Sequence, residues 1–60
     1  MIIVRNASDF RVLINIGQIT YIEEKTGMLL IFLESGAVVP TSETWEEVIM
    51  KIKSIGGNNV

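Results

Sequence analysis

The chain predicts an α+β fold: an antiparallel sheet of four to five strands, built from two β-hairpins plus a linking strand, with one C-terminal amphipathic helix packed on one face. Three observations carry this. Short runs of β-branched and aromatic residues alternate with turn residues from Met1 to Pro40. One stretch with apolar residues at spacings of three and four follows, from Trp45 to Ile55. No linker, repeat or low-complexity segment separates the two, so residues 1–60 read as a single domain with a sheet over 1–40, a helix over 44–55 and a tail over 56–60.

Met1 to Arg5 and Phe10 to Ile14 make the first hairpin, joined by the turn-forming residues Asn6-Ala7-Ser8-Asp9. In its second strand Phe10, Val12 and Ile14 share one face and Arg11 and Leu13 the other, which leaves Leu13 apolar on the nominally wet side. Asn15 to Gln18 breaks the pattern before Ile19 to Lys25 resumes as the linking strand. Met28 to Glu34 is the fourth strand, and Ser35-Gly36 supplies a residue able to take positive φ. A two-residue loop there pairs Glu34 with Ala37, while a three-residue loop pairs Leu33 with Ala37; both registers fit the letters. Ala37 to Val39 is the fifth strand, and Pro40, lacking an N–H, is expected to end it at a sheet edge.

Thr44 and Glu47 have the spacing of a capping box, and Glu43, Glu46 and Glu47 place negative charge at the positive end of the helix dipole. Trp45, Val48, Ile49, Ile52 and Ile55 form one apolar stripe. Lys51 and Lys53 follow towards the C-terminus, Gly56-Gly57 is expected to stop the helix, and Asn58-Asn59-Val60 to fray.

Met28 to Leu33 is a run of six apolar side chains. Successive residues of a strand point to opposite faces, so such a run implies two dry faces, and one helix covers only one. Leu29, Ile31 and Leu33 are expected to face the helix, with Leu30 and Phe32 facing a second copy of the chain or a partner. Composition agrees: the chain is 48% hydrophobic at 60 residues, with a mean hydropathy of +0.43. A domain of this size buries only about 60% of its unfolded surface, and oligomerisation is one way to add to that. Ile3, Leu13, Tyr21, Leu30, Phe32 and Val38 are the candidate interface residues.

The chemistry-bearing residue types are sparse. Cysteine and histidine are absent, which removes thiolate sites, disulfides and the usual general base, so no cofactor, metal or enzymatic activity is expected. Glu23 and Glu24 are strand neighbours that diverge, and the carboxylates near the helix start are explained by capping. Trp45 beside a polar loop could form one wall of a pocket, although its place on the stripe makes it an end of the core. Arg5 and Arg11 fall across from each other on the first hairpin and could hold an anion or an acidic partner loop. The net charge of −2, with five scattered basic residues, argues against nucleic acid as a partner. No apolar run reaches the roughly 18 residues of a membrane span. With no signal-peptide succession at the start, a cytoplasmic location is expected.

The segment Ile14-Asn15-Ile16-Gly17-Gln18-Ile19-Thr20-Tyr21-Ile22-Glu23-Glu24, and then Ile31 through Ile49, resembles small bacterial flagellar proteins of the FlbD/SwrD type. In that family Leu-Asn and a short loop precede an Ile-Glu-Glu strand, and a turn, a strand and a capped Val-x-Glu-Val-Ile helix start follow. Short bacterial and phage proteins share the outline. Ser35 stands where the family turn has Asn or Asp, Pro40 lies in the fifth strand, and Ala37 and Val38 replace polar residues. The resemblance implies the same hairpin and helix and, as an expectation, a flagellar accessory role. The residues themselves point first to a non-enzymatic, oligomeric protein-interaction module, an adaptor or inhibitor. The remaining alternative is an oligomer that binds nucleic acid or sequesters a small ligand.

Overall fold

The structure, a computed structural model, describes residues 1–57. Its elements are β1 (Ile2–Arg5), β2 (Arg11–Ile14), a 3-10 turn (Ile16–Gln18), β3 (Ile19–Lys25), β4 (Met28–Leu33), β5 (Val38–Thr41) and α1 (Trp45–Gly57). All strand pairs are antiparallel, as expected for an α+β chain of this pattern. The strands fall into two sheets: β1-β2, and β3-β4-β5 with β4 central. An Asn6–Thr41 bridge and the Ala7 N–H bonded to the Pro40 carbonyl at 2.8 Å join them at one corner.

The inward residues of both sheets meet the helix in one core. Ile2, Val4, Ile14, Leu29, Ile31 and Val48 are buried, with Val12, Ile16, Ile19, Ile22, Leu33, Val39 and Ile52 packed around them. Leu29, Ile31 and Leu33 thus turn inward together, in a cluster that includes residues of the β1-β2 hairpin as well as of the helix. The helix itself packs mainly on β1.

Several local features differ from expectation, each for a physical reason. Thr20 is a bulge between the Ile19–Leu33 and Tyr21–Phe32 pairs. The extra residue lets Ile19 and Ile22, three apart, both reach the core while Tyr21 points outward. Pro40 lies inside β5 rather than ending it. The Leu33 N–H bonds the Ala37 carbonyl at 2.9 Å, so alternation places Pro40, opposite Leu30, at a position whose nitrogen points away from β4 and costs the ladder nothing. The helix ends at Gly57, including both glycines expected to stop it after residue 55, which leaves Lys51 and Lys53 short of its last turn. Trp45, expected on the stripe, is 37% exposed and outside the core cluster. The expected frayed tail, residues 58–60, lies outside the described residues.

The hairpin register is the three-residue one. Leu33 pairs with Ala37, the Gly36 N–H returns to the Leu33 carbonyl at 2.9 Å, and Gly36 has φ of 95°. The first hairpin repeats this hydrogen-bond pattern with Asp9, at φ of 67°, in the glycine's place. There Asp9 N–H bonds the Asn6 carbonyl and Asn6 N–H the Phe10 carbonyl, while the Asn6 Oδ1 also accepts from Ser8 and Phe10 N–H at 2.9 and 3.0 Å. A Cβ on Gly36 would meet nothing within 4 Å, so only backbone strain opposes one. Gly36→Ala is therefore expected to cost about 1 kcal/mol, read as a Tm lowered by roughly 4–8 °C.

Candidate interaction surfaces

The six apolar interface candidates separate into two surfaces. Tyr21, Phe32 and Val38 form one cross-strand row on the outer face of β3-β4-β5, and Glu23, Leu30 and Pro40 form the next. The Tyr21 and Phe32 rings stack at 4.3 Å between centroids, 13° from parallel. Tyr21 is 54% and Val38 44% exposed, and Met28 extends the patch at 37%. Leu30 and Phe32 are half-buried by these neighbours. Lys25, opposite Met28, and Glu23 lie on the same outward side of β3, two residues apart.

Ile3 and Leu13 pair with each other instead on the outside of the β1-β2 hairpin, 48% and 62% exposed. One row further, Arg5 faces Arg11, the cross-strand placement expected from the sequence. Arg5 Nη1 donates to the Asp9 carbonyl at 2.9 Å and lies 3.8 Å from its carboxylate. Both groups are well exposed, so the ion pair contributes little. Ile3 also borders an open groove with Met1, Met50 and Lys51, in which Met1 and Met50 are 62% and 71% exposed.

Glu43 and Glu47, near the helix start, each have partners of their own. Glu47 accepts the Thr44 N–H at 2.8 Å while its own N–H bonds Thr44 Oγ1 at 3.1 Å, the expected capping box. Glu43 leaves the helix start and reaches β1: Oε2 accepts the Arg5 N–H at 2.6 Å and Oε1 the Lys51 ammonium at 2.6 Å. Lys51 also donates to the Ile3 carbonyl at 2.8 Å, and Thr41 Oγ1 donates to the Arg5 carbonyl. Side chains from the β5-α1 junction thereby occupy the edge of β1 that faces away from β2. Trp45 lines a cleft beside the β3-β4 turn, with Lys25, Met28 and Glu46.

The bond from the Thr44 N–H, and then that from its hydroxyl, hold the Glu47 carboxyl below its ordinary value, helped by Lys51 nearby. A lowered folded value means that this contribution to stability is complete above pH 4.5, the ordinary value, and is lost as pH falls through the lowered one. Glu47→Gln should flatten this part of the acid unfolding profile, measured by circular dichroism between about pH 5 and 2. A slope unchanged from wild type would contradict the assignment.

Among the described residues no helix is long and apolar enough to cross a membrane, and no group of three metal-ligating side chains converges. No protein family, no curated protein and no solved structure matches the chain.

Proposed function

We propose that the chain is a non-enzymatic interaction module that works as a homo-oligomer, with the outer face of β3-β4-β5 buried against a second copy. The observation that carries the reading is the apolar outer surface in which exposed Tyr21, Val38 and Met28 surround half-buried Phe32, Leu30 and Pro40, with Tyr21 stacked on Phe32. On small monomers a contiguous apolar face of this kind marks an interaction site. The partner is a second copy because the rim is self-complementary in charge. Glu23 and Lys25 on one strand give each face one acid and one base, which a two-fold axis sets against the base and acid of its mate.

The test is native mass at micromolar concentration. Val38→Glu, at an exposed position, and Phe32→Glu are both expected to give monomers, and the apparent Tm of the wild type should rise with protein concentration. Folded Val38→Glu protein that keeps the wild-type oligomer mass would defeat the proposal.

A further inference from the structure

The β1-β2 hairpin has two edges, and only one is filled. The Asn6–Phe10 bond fixes the alternation: backbone groups of Val4 and Ile2 point towards β2, and those of Ile3 and Arg5 point away. Thr41, Glu43 and Lys51 satisfy the Arg5 C=O, the Arg5 N–H and the Ile3 C=O on the outward side of β1. On β2 the outward groups are the N–H and C=O of Arg11 and Leu13. Among the described residues no backbone hydrogen bond from another element reaches them.

The side chains around this edge specify what would fill it. Leu13 and Ile3 offer exposed apolar surface. Directly beside them Arg11 faces Arg5, a like-charge cross-strand pair that is unfavourable without a counter-charge. Asp9 approaches only Arg5, and the pair is basic on a chain whose net charge is −2. The other long open edge, β3, ends in Glu23, Glu24 and Lys25, charges of the kind that blunt an edge against added strands.

We infer that β2 takes an extended acidic segment of another protein as an added strand, with an acidic residue beside Arg11 and an apolar residue two positions away beside Leu13. Backbone pairing supplies both donors and acceptors along the edge, which neither acyl chains nor phosphates do. The inference adds a partner to the interaction-module reading, and it uses a surface separate from the self-association face.

The probe is an N-acetylated, C-amidated peptide, Glu-Thr-Leu-Thr-Glu-Thr-Leu-Thr, titrated into the full chain with amide exchange read by NMR. Arg11 and Leu13 amides are expected to gain about tenfold protection, while Val12, already paired with Val4, changes little. Arg11→Glu, at an exposed site, should weaken binding about tenfold, whereas Lys53→Glu, an equal charge change on the exposed side of the helix, should leave it within about twofold. Phe32→Glu should bind like wild type, so failure of the oligomer reading leaves this result standing. No binding at about 1 mM peptide, equal affinity for the lysine-for-glutamate peptide, or protection at β3 would overturn the inference. Tighter binding of phosphatidylglycerol vesicles or oligothymidylate than of the peptide would overturn it too.

Discussion

Replacing Ile31 with alanine is expected to cost about 3–4 kcal/mol, the range for a fully buried branched side chain whose surroundings cannot collapse around the void. Ile31 is 0% exposed. It sits in the middle of the central strand β4, between Ile22 and Val39, and belongs to a cluster drawn from both sheets and the helix. A 60-residue domain has about 3–9 kcal/mol of total stability, so the variant should lose at least about a third of it and unfold at a clearly lower urea concentration than wild type. The neighbour Phe32 lies on the opposite face and is half-buried. Phe32→Ala should cost the isolated protomer about half as much, and its effect should grow with protein concentration as oligomer contacts are lost. If urea denaturation of dilute protein ranked Phe32→Ala as the more damaging, the inward and outward assignment of β4 would be reversed.

Which face of β4 turns inward hung on a hairpin register that the letters left open, but the grouping of Leu29, Ile31 and Leu33 against Leu30 and Phe32 was legible because strand alternation is local. The same holds for the capping box, where Thr44 and Glu47 signal each other across three residues, and for the need for positive φ near Gly36. What the letters could not show depends on chain segments far apart in sequence. The register at Ser35-Gly36 fitted two loop lengths until the Leu33–Ala37 pairing selected one. Thr20 reads as an ordinary strand residue, yet as a bulge it decides that Ile19 and Ile22 share a face. Treating the outward apolar residues as one surface assumed one sheet, whereas the division into two puts Ile3 and Leu13 on the hairpin and Tyr21, Leu30, Phe32 and Val38 together elsewhere.

The surplus of Met28 to Leu33 is thereby divided too. Leu29, Ile31 and Leu33 are accounted for within the chain, because the hairpin closes over them together with the helix. Only the outer row remains for a partner, and its aromatic stack already shields part of it. The flagellar resemblance expected from the letters rested on the Ile14–Glu24 segment, the β4-β5 hairpin and the helix cap, where local rules dominate. The contacts that fasten the first hairpin to the rest lie outside what such a pattern records.

Those contacts are the subject of the second large effect: Thr41→Val is expected to cost about 2–3 kcal/mol although valine matches threonine in shape. Thr41 is 0% exposed. Its hydroxyl donates to the Arg5 carbonyl and accepts the Glu43 N–H at 3.1 Å, bridging residues 36 apart in the chain. Valine would strand a carbonyl and an N–H where water has poor access, and each such loss costs about 1–3 kcal/mol before any gain from the added methyl. Thr41→Ser keeps both bonds and removes one methyl, about 0.8 kcal/mol of burial with a small void term. The order Thr41→Ser milder than Thr41→Val in urea denaturation marks the hydroxyl as the fastening; the reverse order would make Thr41 a filler. Glu43→Ala frees the Arg5 N–H and the Lys51 ammonium on the same edge. Groups in one network couple by about 0.5–3 kcal/mol, so Thr41→Val with Glu43→Ala should lose less than the sum of the two. Strict additivity would mean that the helix junction and the β1 edge are held independently, and the side-chain substitute for a neighbouring strand would then reduce to unconnected bonds.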